Sequence, residues 1–287
     1  MGTLVAMHYP TVLAFGAADH TYVMCGTGGK AWSCWGGKTG GAVLRSGSGS
    51  TSQADAIAEH NERAGITCYL INGVCHQAAN RILFPAGIFV TGARGYGVSS
   101  AMFGPYGRPR GPLHTCSAPF NHHAGVVGDL PACVAPPVGI SAVEMATLPQ
   151  EHGYFERVTA AYRQVGTFGL LDEVRRDKDL VEFMRTLFDY QIVYNLGVDF
   201  DRSGKLLDFR VSAERSRIQI ETEFADRKIS VSEFVARSDM QTISFQKEAA
   251  SVLNEDEYSA LFNVKKGEFI ALADPAIVPK AYPQTAL

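Results

Sequence analysis

The sequence predicts an α+β protein in which an antiparallel sheet with packed helices is followed by a mainly helical second domain. Three observations predict this. Short runs of β-branched and aromatic residues separated by Gly-rich turns dominate residues 11–45. Beyond residue 150, apolar residues recur at helical spacing behind capping residues. Composition also shifts along the chain. All six cysteines, both tryptophans, seven of eight histidines and 23 of 29 glycines lie in the first 140 of 287 residues. That part carries a formal charge of +3 and the remainder −6. The expected units are therefore 1–140, a candidate catalytic domain, and 141–287, a helical accessory domain.

Taken in order, TVLAFG (11–16) and HTYVMC (20–25) read as strands, as do AWSCW (31–35) and AVLR (42–45). GTGGK and GGKTGG are turns, and SGSGS (46–50) is a loop by composition. A helix follows, with Ser52 as N-cap and Gly65 as stop. ITCYLI (66–71) is a short strand, Asn72-Gly73 turns the chain, and CHQAANRIL is a helix ended by Pro85. Residues 86–140 are Gly- and Pro-rich, with short strands near 88–91 and 125–127, and read as a cover over a cleft. In the second half, Phe155, Val158, Tyr162 and Val165 mark one helix, and Leu180, Met184, Leu187 and Phe188 another. Ser230–Glu233 and Asn254–Glu257 have the spacing of N-terminal capping boxes. Residues 206–224 fit either strand or helix, and 268–275 close as a short strand.

Composition excludes several classes. With 46% hydrophobic and 19% charged residues the chain is not intrinsically disordered. A net charge of −3 and a pI near 6.2 provide no broad basic surface for nucleic acid. No apolar run reaches the ~18 residues of a membrane span. The opening residues carry neither a basic leader nor a cleavage site, so the expected location is cytoplasmic. No Cys-x-x-Cys occurs, and the cysteines match no zinc spacing. Reduced thiols, no metal and no cofactor are expected.

The sharpest feature is Asn72-Gly-Val-Cys75-His-Gln-Ala. A turn running into a helix puts Cys75 in the first helical turn, where backbone N–H groups are unpaired and the macrodipole is positive. Such a place can lower a thiol's pKa and can hold an oxyanion. A thiolate nucleophile needs a base. His20 begins a strand, on one face with Tyr22 and Met24, while Thr21, Val23 and Cys25 take the other.

A histidine opening a strand (His20-Thr-Tyr-Val), a Gly turn, a second strand (Ala31-Trp-Ser33-Cys-Trp35) and a helix-start cysteine (Asn72-x-x-Cys75-His76) occur in that order. This order resembles the circularly permuted branch of the papain-like, NlpC-type cysteine enzymes, which includes the lecithin–retinol-acyltransferase-like proteins. The resemblance covers about residues 8–90. It implies a permuted papain-like fold with Cys75 as nucleophile and His20 as base. The family's third polar residue falls near positions 32–33. Trp32 cannot accept an imidazole N–H, and Ser33 can; His60 and Gln77 are the fallback candidates. The implied activity is that of a cysteine hydrolase, as peptidase or amidase, or of an acyltransferase. The substrate would be a peptide, amide or acyl compound.

Other signals are weaker. Gly26–Lys30 fails the phosphate-loop pattern at Met24 and Ala31. Asp199-x-Asp201-x-Ser203-Gly204 opens like a calcium loop, but its twelfth position is Arg210, which reads as an Asp-rich turn instead. Arg94, Arg108 and Arg110 with Tyr96 and Tyr106 form a basic, aromatic loop region, which reads as solvated loop charges ahead of a site for an acidic substrate. The competing reading is a binding or scaffold module with an inert, buried Cys75 and a protein partner held by the helical half.

Overall fold

Period-two alternation decides which side of each strand is buried, and the first strand shows it. The computed structural model describes residues 1–11, 18–26, 30–33, 36–63, 69–71, 73–83, 86–104 and 196–282. Strands β1 (Gly2–Thr11), β2 (Ala18–Cys25), β3 (Ala31–Trp32) and β4 (Ala42–Gly49) form one antiparallel sheet in the order β3-β2-β1-β4. The register pairs Leu4 with Cys25, Ala6 with Val23 and His8 with Thr21, so these six share one face. Tyr9, His20 and Tyr22 belong to the other.

Helices α1 (Thr51–Arg63) and α2 (Cys75–Leu83) cover the first face. Ala54, Ile57, Ala79, Ile82 and Leu83 pack there against Leu4, Ala6, Val23 and Cys25. Each fully buried Ile or Leu side chain contributes about 1.5–3 kcal/mol. Ser50 caps α1 by accepting from Gln53 N–H at 3.2 Å, two residues ahead of the expected Ser52.

The remaining helices among the described residues are α3 (Tyr96–Phe103), α4 (Phe200–Ala225), α5 (Val231–Val252), α6 (Glu255–Phe262) and the short α7 (Val278–Ala281). Both expected capping boxes are present, Ser230 with Glu233 and Asn254 with Glu257. Asp199 turns out to be the N-cap of α4, accepting from Arg202 N–H at 3.0 Å. A second core joins segments far apart in sequence: Tyr69, Leu70, Ile71, Val98, Met102 and Phe103 pack with Phe224, Phe234, Phe245, Phe262 and Tyr282. The expected boundary near 140, the helices near 155–165 and 180–188 and the strand near 125–127 lie outside the described residues.

Several sequence expectations are corrected. A strand not expected from sequence covers residues 2–11, and of the expected strand 11–16 only Thr11 lies among the described residues. The expected loop 46–50 is strand as far as Gly49, because β4 is a mostly exposed edge strand where small polar residues pair without needing a buried face. Residues 206–224 are helix throughout. Residues 268–275 form no strand. Their backbone is held by side chains instead: Gln246 bonds both N–H and C=O of Ile270, and Asp239 accepts from Leu272 and Ala273 N–H. In 66–71 and 88–91 the described residues show only isolated bridges, Tyr69 with Gly73 and Thr91 with Ala93. No described helix is long and apolar enough to cross a membrane.

Buried charges tie α4 to the rest. Arg210, fully buried, donates to the Ala101 carbonyl at 2.9 Å, the Met102 carbonyl at 2.7 Å and Glu214 at 3.1 Å. It thereby satisfies carbonyls at the end of α3 that have no helical partner. Arg217 pairs with Glu214 and Glu221 and donates to the Ile71 carbonyl at 3.2 Å. Removing one member of such a network strands the others in a dry interior. The Arg210→Ala protein should lose about 3–5 kcal/mol of stability in urea unfolding. A loss below about 1 kcal/mol would show that α4 is not anchored this way.

Candidate functional site

A tight turn delivers the cysteine. Leu70 sits at φ 60, unusual for a bulky residue, and its N–H donates to the Gly73 carbonyl at 3.0 Å. Tyr69 is pinned by the C-terminal segment: its hydroxyl bonds Leu272 O at 3.1 Å and Asp274 N–H at 2.7 Å, while Tyr282 Oη donates to its carbonyl. The chain then enters α2 at Cys75 as the sequence predicts. Val74 occupies the N-cap position, and Gln77 accepts its N–H at 3.0 Å, half of a capping box. Gln77 Nε2 donates to Ser99 Oγ and to the Gly104 carbonyl, so this fallback candidate serves as structure. The His60 side chain lies outside the described residues.

The start of α2 docks on the edge of β2. Strand β3 covers only Val23 and Met24. The backbone groups of Asp19 and Thr21 face that same edge, because groups two residues apart point the same way. The Asp19 carbonyl accepts from His76 Nε2 at 2.9 Å and faces the Cys75 thiol at 3.9 Å. Its N–H donates to the Arg94 carbonyl at 2.9 Å. The Asp19 carboxylate takes His8 Nδ1 at 2.8 Å and Arg94 N–H at 3.0 Å. Donation to a carbonyl fixes His76 with its proton on Nε2, which leaves Nδ1 to accept from Ser99 Oγ at 2.9 Å.

The three sequence-predicted site residues meet along this strand. The sulfur lies against the peptide groups on either side of His20, Asp19 C=O and Thr21 N–H. The imidazole lies on the face away from α2, with Tyr9 at a ring-centroid distance of 5.0 Å. His20 Nε2 is 2.8 Å from Ser33 Oγ, and its Nδ1 has no hydrogen-bond partner among the described residues. The thiol and the imidazole are thus neighbours through one residue of backbone, and no hydrogen bond joins them.

Burial governs the charges. Both His20 and Cys75 are almost inaccessible, at 1% and 7% exposure. Loss of water pushes the Cys75 thiol up to about 11, against the lowering effect of the Thr21 N–H and hydroxyl and the His76 N–H. The sequence expectation of a lowered thiol pKa is therefore corrected: desolvation outweighs the helix start. Burial likewise lowers His20 to about 4, partly offset by Asp274 and the Gly37 backbone. His76 is lowered to about 4 for the same reason. As described, the site holds a neutral thiol and neutral imidazoles.

Asp19, Thr21, His76 and Tyr9 were not singled out from sequence. The adjacency of Asp19 to His20 and of His76 to Cys75 was the available signal, since both neighbours of the candidate pair bond one another. Of the basic loop region, Arg94 pairs with Glu268 at 3.1 Å and Tyr96 opens α3, while Tyr106, Arg108 and Arg110 lie outside the described residues. No group of three or more potential metal ligands exists among the described residues. No protein-family model, curated protein or solved structure matches the chain.

The two buried imidazoles make stability depend on pH. Each has a folded pKa below its unfolded value of about 6.5, so the unfolded chain binds more protons between those values. Their contribution is complete above about pH 6.5 and fades as pH falls toward 4. Each such shift amounts to about 3 kcal/mol. Urea midpoints should fall steadily from pH 7 to 4.5, and the fall should shrink in His76→Asn. Equal slopes in the two proteins would contradict neutral burial of His76.

Proposed function

We propose that the protein is a cysteine hydrolase or acyltransferase acting on an amide, peptide or thioester bond, on a circularly permuted papain-like arrangement. Cys75 is the nucleophile, His20 the base and Ser33 the group that orients the base. One observation carries this reading: Ser33 engages His20 at Nε2 and leaves Nδ1 without a hydrogen bond among the described residues, while the thiol docks on the backbone either side of His20. Donation from Nε2–H to Ser33 Oγ selects the tautomer whose Nδ1 can take a proton.

In the reaction, His20 Nδ1 accepts the thiol proton and the sulfur attacks the substrate carbonyl carbon. The carbonyl electron pair moves to oxygen, where N–H groups in the first turn of α2 stabilise it. Collapse expels the amine, which takes the proton from His20, or the thiol of a thioester. Water or an acceptor amine then attacks the acyl-thioester and restores the free thiol. The resting pKa values oppose the first step, so substrate entry must rehydrate or reorganise the pair.

A second reading has its own support. A thiol raised to about 11 in a nearly sealed site is the signature of an inert structural cysteine in a binding module.

Alkylation kinetics separate the two. Iodoacetamide modification of Cys75, followed by peptide mapping from pH 6 to 10, should be at least roughly tenfold slower in His20→Ala at neutral pH if the imidazole takes the proton. Ser33→Ala should slow it less. An inert cysteine would instead follow its own ionisation near 11, at the same rate with or without His20. That result would overturn the catalytic reading.

A further inference from the structure

Residues 36–41, Gly-Gly-Lys-Thr-Gly-Gly, lie over the sheet face opposite α1 and α2 and cross the row formed by Tyr9, His20 and Tyr22. Gly36 sits flat on the imidazole: a Cβ at this position would lie 2.0 Å from His20 Cε1 and 2.3 Å from Nε2. No residue but glycine fits there without displacing the ring or the loop. Residues 37–41 are exposed, and none of 36–41 belongs to a strand or helix.

Among the described residues, few contacts hold this segment down besides the effect of the Gly37 backbone on His20. Gly37 N–H donates to Tyr9 Oη at 3.0 Å, and Tyr22 Oη donates to the Gly40 carbonyl at 2.6 Å. Lys38 rests over the Trp32 ring at 5.7 Å. Neutral hydrogen bonds and exposed cation–π contacts are individually weak, and segments held by few of them open locally in native proteins. Gly40 and Gly41, both at positive φ, give the segment a permissive end where it enters β4. The covered residue is the one the proposed reaction needs uncovered.

We propose that residues 36–41 are a lid that closes over His20, tethered by the Tyr9 and Tyr22 hydroxyls, and that lifting it opens the imidazole to solvent and substrate. The lid's catalytic use rests on the Cys–His reading above, whereas its existence as a moving part does not. Lifting it reverses the desolvation that holds the ring at about 4 and returns it toward the ordinary 6.5. Of the other groups that act on the ring, Tyr9 from β1, Ser33 after β3, His76 from α2, and Asp274 and Lys280 from the C-terminal segment stay in place, while the Gly37 backbone leaves with the lid.

The test titrates His20 in the full-length protein by NMR with labelled histidine, assigned by loss of the signal in His20→Asn. Tyr9→Phe/Tyr22→Phe keeps both rings and removes both tethers. Its His20 midpoint should rise by at least about one unit, and Gly37 amide exchange should quicken roughly tenfold. Gly36→Ala, which forces lid and ring apart, should shift the midpoint the same way and decides the matter if the double variant does not fold. An unchanged midpoint in the folded variants, or a wild-type midpoint already near 6.5, would overturn the lid. Neither readout uses the thiol, so an unreactive Cys75 would sink the catalytic reading and leave the lid result standing.

Discussion

The edge of β2 at Asp19–Thr21 is the constraint on which the rest of the site depends. A strand edge carries backbone donors and acceptors that must be satisfied once buried. Strand β3 reaches only Val23 and Met24, so the start of α2 and the Arg94 backbone take up what remains. One carbonyl, that of Asp19, receives His76 and faces the Cys75 thiol. One carboxylate, on the same residue, holds His8 and the Arg94 N–H. The position of the sulfur is thus a consequence of sheet hydrogen bonding as much as of helix packing.

That docking brings proximity at an electrostatic cost. A thiol tucked against a carbonyl and cut off from water stays protonated, and an imidazole under a glycine cover stays neutral. Pre-organisation and desolvation oppose each other in this arrangement. An enzyme built this way rests in a closed form and reacts only when water or substrate changes the surroundings of the pair. The C-terminal segment contributes to the closure, since Tyr282 and Asp274 clamp Tyr69 at the head of the turn that leads to Cys75.

Much of this was legible in the sequence, for identifiable reasons. The Cys75 helix was read correctly because Ala79 and Ile82 repeat at helical spacing behind a turn. The capping boxes at Ser230 and Asn254 are local chemistry and appear where expected. The strand 2–11 was missed because only Leu4 and Ala6 are fully buried in it, and Met7, His8 and Tyr9 are half-buried on both faces, which blurs the apolar-polar pattern. β4 was cut short because an exposed edge strand has the composition of a loop. The acidic turn at Asp199 became a helix cap, and Arg210, noticed only as a wrong calcium ligand, proved to be a buried anchor. The thiol's raised pKa could not be read from a pattern, because it depends on how much water three-dimensional packing removes.

The central claim is that the thiol of Cys75 acquires nucleophilic power from His20. The most direct measurement is intact-mass and peptide-mapping analysis after brief exposure to an activated acyl ester at neutral pH. An acyl adduct on Cys75 should form in the wild-type protein, turn over with water or an added amine, and be absent from His20→Ala. An adduct that forms equally well without His20, or none at Cys75 in the folded protein, would contradict it.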